Sequence, residues 1–427
     1  MTAARTEARA QVGRAERAFE EPSPGCADEA HLAARALTRS FVEREIAPRS
    51  AAIAAEARIP DALVRALGQA GFFGLMIATE HGGMGRDCLA RLANVEMVAA
   101  ASPDVGALLQ IAQLGTGALL EFGDDRQQRT WLPQLARGER ICTIAITEPV
   151  AGSHVKAIDT TYRRTAGGLC LTGEKWFIGN APIANLHVVF ARDADSGVYS
   201  AVLVEGERPG VDNSERHQTR GLPGFPLGKL KLQDVDVPLE NVVGELGQGQ
   251  AVIHRVIARH GRLSVTGLAL GIQARTLREA LGFARSRELY GGPIARLPDV
   301  RRKVFEIYQA YETSRALAYQ AARLEAQGQR AHRLLALAKY VSSESACRSA
   351  MIAAELFGAR TNLQYFDAGR LVLDALMTQA PSGTADVLRR RILEDVLGER
   401  PVAWDETSPA RRWDTSNSVG GDELWEH

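Results

Sequence analysis

The chain has 427 residues, enough for two or three domains around a large core, with 45% hydrophobic and 24% charged residues. Lys plus Arg and Asp plus Glu balance at 51 each, so no net field draws it to nucleic acid or an anionic membrane. The five cysteines are scattered without a CxxC pair, which argues against a zinc site or a disulfide framework. No uninterrupted apolar run of spanning length stands out, and a cytoplasmic protein is expected.

Residues 1–28 read as a flexible leader ending in the breaker cluster "EEPSPG". Residues 29–140 carry apolar side chains every three or four positions, the mark of a helical domain. From 141 to 244 the period changes: "CTIAIT", "LHVVFAR", "YSAVLVEG" and "KLKLQDVDVP" read as strands separated by turns such as "TAGG". Helices return over 245–398, where Val300, Val304, Ile307, Tyr308 and Tyr311 share one face. Blocks segregated in this way predict an α+β protein with separate helical and β domains, not an alternating parallel sheet. Residues 399–427 form a polar tail with Trp404, Trp413 and Trp425, expected to be an arm packing on its own subunit or a neighbour, with a docking peptide for another protein as the alternative.

Four stretches carry chemistry. "AITEPVAGSHVKAI" ends a strand and opens a loop whose main-chain N–H groups can meet a heterocycle edge or a phosphate. "TGEKWFIGNAP" puts two aromatics beside Gly179 and Asn180. "ARSRELYGGPIARLPDV" sets Arg287 and Tyr290 after a helix, a fixed cation suited to a pyrophosphate. "TQAPSGTADVLRR" is a turn running into a helix that Thr384 can cap.

In order, T-E-P-x-A-G-S at Thr147 to Ser153, V-P-x-E-N at Val237 to Asn241, R-x-x-[FY]-G at Arg287 to Gly291, F-G at Phe357-Gly358 and G-T at Gly383-Thr384 resemble the acyl-CoA dehydrogenase family, from about residue 30 to 398. The resemblance implies an N-terminal helical domain, a middle β-barrel-like domain and a C-terminal four-helix bundle, with FAD held between the last two. It implies a homodimer or homotetramer acting on an acyl thioester of CoA or an acyl carrier protein. It would place Ile146 and Thr147 at the flavin ring, Ser153 near the pyrophosphate and substrate, and Phe177 and Gly179 along the ring. Thr384 would lie beside the cofactor, while Arg287, Tyr290 and the turn at Gly358 would reach the FAD of a neighbouring subunit.

Family members carry a base glutamate just before G-T, or immediately before an arginine on the first bundle helix. Here those positions are Ser382 and Gly261, the arginine being Arg262, which with Ser382 is expected at the substrate. A hydroxyl without an activating neighbour is too weak a base near neutral pH; His260 and Asp386 are candidate substitutes. The usual W-I-T-N arm reads Phe177-Ile178-Gly179-Asn180, the Asp after T-E-P-x-A-G-S is His154, and a downstream glutamine is Pro298. Three functions stay open: an FAD-dependent oxidoreductase on an acyl thioester without the glutamate, a flavin monooxygenase or oxidase on the same fold, and a non-catalytic subunit completing a partner's FAD site.

Overall fold

The computed structural model describes residues 29–363 and 368–398. The leader and the Trp-containing tail lie outside the described residues. Helices α1 (Glu29–Phe41), α2 (Ser50–Ala55), α3 (Asp61–Gln69), α4 (Cys88–Ala101), α5 (Pro103–Phe122) and α6 (Asp125–Ala136) come first. Their starts follow local chemistry. Asp87 accepts the Ala90 N–H at 3.0 Å, Pro103 opens α5, and Asp124 with Gln127 forms a reciprocal cap on α6.

Helix α5 is long and apolar enough to span a membrane by length and composition, which reading along the chain missed because Gln110, Gln113 and Glu121 interrupt it. Here it is the central core helix, almost wholly buried.

Strands β1 (Cys142–Ala145), β2 (Thr161–Thr165), β3 (Gly168–Gly179), β4 (Leu186–Asp193), β5 (Tyr199–Glu205), β6 (Val211–Asp212) and β7 (Leu227–Val237) form one mixed, curled sheet. Strand β4 pairs antiparallel with β5 along one edge. Its other edge is shared end to end by β1, at Leu186–Val189, and β2, at Arg192–Asp193, both parallel. The long β3–β7 ladder breaks where Trp176 and Phe177 together face the single residue Lys229, a bulge that re-aims both aromatics.

The bundle follows: α7 (Gly249–Val256), a π-helical turn at Ile257–Gly261, α8 (Arg262–Ser286), the hairpin β8–β9 (Glu288–Leu289, Gly292–Pro293), α9 (Pro298–Ala326), α10 (His332–Phe357), α11 (Ala368–Leu376) and α12 (Ala385–Leu397). Helix α8 packs closely on α4. A Cβ on Gly271 would lie 2.4 Å from Ala99 Cβ, so only glycine permits that approach. Tyr311 and Tyr319 on α9 each donate to Glu96 of α4 at 2.6 Å, and Arg315 pairs with the same carboxylate at 3.2 Å.

All three domains meet at the loop Gly221–Phe225. Asp104 of α5 accepts the Gly224 N–H at 2.7 Å, and Asp374 of α11 accepts the Leu222 N–H at 2.7 Å. Arg216 donates to Pro223 O and Phe225 O. Burial pushes the Asp374 carboxyl up to about 7, although Arg370 beside it pulls the other way.

Candidate active site

The T-E-P loop is fixed from below by a buried ion pair. Glu148 receives the Lys175 ammonium at 2.7 Å and the N–H groups of Asp159 and Thr160 at 2.5 and 3.0 Å. Lys175, 0% exposed, also donates to Ile146 O. Desolvation drags its ammonium down to about 8 even though Glu148 opposes this. The pair leaves Ile146 and Thr147 half-buried, and the Trp176 N–H donates to Thr147 O, tying the bulge to the loop.

The bulge puts Phe177 at φ +55°, a conformation disfavoured for a bulky residue, with about half its surface open. Its ring lies 5.0 Å from that of His217, which in turn lies 5.5 Å from Trp176. Trp176 Nε1 and His217 Nε2 are buried without a partner, and burial pushes the imidazole pKa down. Gly152 and Ser153 form an open shelf, since a Cβ on Gly152 would meet nothing within 4 Å. An aromatic wall with orphaned donors beside a bare main-chain shelf fits a flat ring with a phosphate tail. That is the chemistry of FAD, which supplies a hydride acceptor when bound.

Gly179 has a steric reason. A Cβ there would stand 2.8 Å from both Ile111 Cγ1 and Phe225 Cζ, so the family's threonine does not fit. Thr143 donates to Gly179 O at 2.6 Å, and Asn180, in the left-handed region, donates to Leu108 O.

At the other wall, Thr384 caps α12 through the Val387 N–H, as its sequence position implied. Ser382 sits just before it at φ +58°, half-buried. A Cβ on Gly261 would lie 2.6 Å from Ser382 Oγ, so the two residues face each other. The turn is held from α10 by Lys339, 1% exposed, which donates to Gln379 O at 2.8 Å and Gly383 O at 2.7 Å. Arg262, next to Gly261, is 7% exposed and donates to His332 O.

The candidate bases are committed elsewhere. The His260 ring lies against Gly117, receives Arg91 on Nδ1 at 2.9 Å and reaches Glu121 through Nε2 at 3.2 Å. With Nδ1 accepting, the proton belongs on Nε2, and neither nitrogen is free. Burial lowers the His260 pKa; desolvation of Glu121 is outweighed by His260 and Arg259, which hold it down to about 2. His260 instead lines a cavity of about 160 Å³ with Cys88, Arg91, Glu121, Arg259 and Glu325. Asp386 is exposed and paired with Arg389 at 3.0 Å.

Arg287, Tyr290 and Gly358 gather at a second place. Phe283, one turn before Arg287, packs on Phe357 with ring centroids 5.1 Å apart, which joins the hairpin base to the Gly358 turn. Tyr290 is 93% exposed, and the Arg287 guanidinium has no partner among the described residues. The 25 residues of α8 separate this cluster from Gly261 by about 37 Å, beyond one extended dinucleotide.

His217, Lys175 and Lys339 escaped the sequence reading. The only signal for Lys175 was its place within the motif arm, and His217 and Lys339 had none.

Family models for the acyl-CoA dehydrogenase N-terminal, middle and C-terminal domains match residues 28–139, 143–235 and 247–397. An acyl-CoA dehydrogenase of Bacillus subtilis (strain 168) is 30% identical over 370 residues, 85% of this chain and 97% of that protein. The structure of butyryl-CoA dehydrogenase from Megasphaera elsdenii superposes with a TM-score of 0.84 at 26% identity, covering 87% of this chain and 98% of that one. The structure described as PigA with FAD and proline gives 0.82 at 25% identity, covering 88% and 99%. Three matched domains in the same order, around a wall shaped for FAD, make this chain a member of the acyl-CoA dehydrogenase family and an FAD-dependent oxidoreductase.

Proposed function

We propose that this chain oxidises an acyl thioester, carried on CoA or on an acyl carrier protein, without a side-chain carboxylate as base. The observation that carries this reading is the Gly261–Ser382 contact: both positions where the family keeps its glutamate face each other, and neither residue is acidic. Ser382 has no activating partner among the described residues, and His260 and Asp386 are engaged elsewhere. The α-carbon must then be acidified by the substrate and by main-chain donors at the thioester carbonyl so that solvent water takes the α-proton, with the loss of general-base help worth roughly 10²–10⁴-fold. Anaerobic addition of acyl thioesters to the purified flavoprotein tests this. Bleaching of the flavin supports it; a flavin bleached only by a separate reductase, and reoxidised with substrate consumption in oxygen, overturns it.

That second outcome is a flavin monooxygenase on the same fold. Gly179 favours it, because Ile111 and Phe225 crowd the position of a Cβ there and the residue brings no hydroxyl to the ring.

The active form is a homo-oligomer. Tyr290 is 93% exposed beside Arg287, and Phe305 and Tyr308 leave apolar surface exposed on α9. Gel filtration with light scattering checks it.

A further inference from the structure

Three cations lie about the Ser382 turn without a direct ion pair among the described residues, and Arg262 has no carboxylate acting on it. Among the described residues Arg262 makes one hydrogen bond, 3.3 Å to His332 O, and its buried Nε has no acceptor. Lys339 donates to the carbonyls of Gln379 and Gly383. Arg391 on α12 points both terminal nitrogens at His254 Nδ1, at 3.3 Å. Among the described residues, no carboxylate pairs with any of the three. Burial lowers Arg262 to about 10, and Arg391 lowers it further; burial lowers Lys339 to about 8, with Glu344 opposing this and Arg262 adding to it.

An unpaired buried charge is costly, and clustering like charges adds to the cost. The remedy is an anion placed among them. Its position follows from the chain: Arg262 succeeds Gly261, and Gly383, held by Lys339, succeeds Ser382. The missing negative charge therefore belongs beside the Gly261–Ser382 contact, where a carboxylate at residue 382 would supply it and a serine does not.

We propose that the substrate supplies it: the acyl group carries a free carboxylate that docks on Arg262, so the substrate class is a short dicarboxylic acyl thioester. This rests on the acyl-thioester reading above. Arg262 suits such a group, since one unsatisfied N–H in a nearly closed setting matches a single carboxylate oxygen better than a bulky, strongly hydrated phosphate of the carrier arm.

The test uses the FAD-loaded protein, with binding read from perturbation of the flavin spectrum and by calorimetry. Succinyl-CoA, butyryl-CoA and free CoA are compared on wild type, Arg262→Gln and Ser382→Glu, and succinate against butyrate by thermal shift. Succinyl-CoA should bind wild type about tenfold or more tighter than butyryl-CoA. Both variants should lose that preference, Ser382→Glu because it installs an internal counter-charge while leaving Arg262 in place. Equal binding of the two thioesters by wild type overturns the proposal. So does an Arg262→Gln variant that weakens succinyl-CoA, butyryl-CoA and free CoA alike, since the anion is then a phosphate. An Arg262→Gln variant that sheds FAD and keeps the preference also overturns it. If succinate stabilises wild type but not Arg262→Gln while no thioester binds, the anion site stands and the thioester reading falls. If neither succinate nor succinyl-CoA binds, the proposal falls.

Discussion

Gly261 and Ser382, 121 positions apart in the chain, are neighbours: a Cβ on the first would stand 2.6 Å from Oγ of the second. A side chain at one position therefore restricts the other. Alanine in place of a helical glycine ordinarily gains up to about 1 kcal/mol. We expect Gly261→Ala to show that gain only in a Ser382→Gly background, and to lose it in wild type, where the serine hydroxyl must swing away. The coupling should lie near 0.5–3 kcal/mol. Denaturant melts of the four proteins of the double-mutant cycle measure it, and additive effects would rule the contact out.

Ser382→Ala should keep the native activity within a few-fold, because no partner among the described residues activates the hydroxyl. Ser382→Glu should add slow α,β-dehydrogenation of butyryl-CoA, limited by the missing hydroxyl at Gly179. Steady-state kinetics of both variants decide the point. Activity abolished by Ser382→Ala would make the serine a participant.

Lys175→Met strips the partner from a fully buried glutamate and should cost about 3–5 kcal/mol. Because Lys175 also holds Ile146 O, the flavin should dissociate more readily even where the fold survives. Urea denaturation and flavin retention on desalting give the two readouts. A variant as stable as wild type, with full flavin, would show the pair to be dispensable.

Arg287→Ala should leave the melting temperature of the apoprotein nearly unchanged, because the guanidinium makes no hydrogen bond or ion pair among the described residues. It should lower FAD retention through gel filtration, through loss of a bidentate contact to a phosphate across the subunit boundary. Stoichiometric flavin in the variant would remove Arg287 from the cofactor site.

His187, 0% exposed and with neither ring nitrogen bonded, is pushed by burial down to about 4. Below about pH 6.5 the unfolded chain takes up a proton there that the folded chain refuses until about pH 4. Stability therefore falls as pH drops through that window, by roughly 3 kcal/mol from this residue. His187→Leu should flatten that part of the stability profile relative to wild type, measured as the midpoint of urea unfolding between those pH values.

Period and motif made much of this legible. The switch from helical spacing to alternation near residue 141 and back after 244 follows the blocks of the fold, and the T-E-P loop and the G-T cap stand where the motifs put them. What escaped was mostly burial of charge. Lysine is rarely interior, so Lys175 and Lys339 read as solvated although each is 0–1% exposed. Their acceptors, Glu148 and the carbonyls of Gln379 and Gly383, lie 27 to 44 residues away, and local pattern carries no such pairing. Strand β2, "TYRRT", was missed because four of its five residues are polar or charged and only Tyr162 is buried. Tyr308 shares a helical face with Tyr311 by spacing, yet the first is 49% exposed and the second 5%, because nothing among the described residues covers the edge of that face.

The Gly221–Phe225 loop makes the three domains one cooperative unit. Excising the middle domain would leave Leu222 and Gly224 without acceptors, and would uncover Asp104 and Asp374, each 0% exposed, on the two helical pieces. A Cβ on Gly221 would strike Leu373 O at 2.2 Å and one on Gly224 would strike Ile53 Cγ2 at 2.6 Å, so the loop is clamped by backbone on one side and core on the other. Boundaries drawn from sequence are thus poor cleavage points. A protease cutting near residue 140 or 245 should leave fragments that stay associated under native conditions and come apart only when the whole molecule melts.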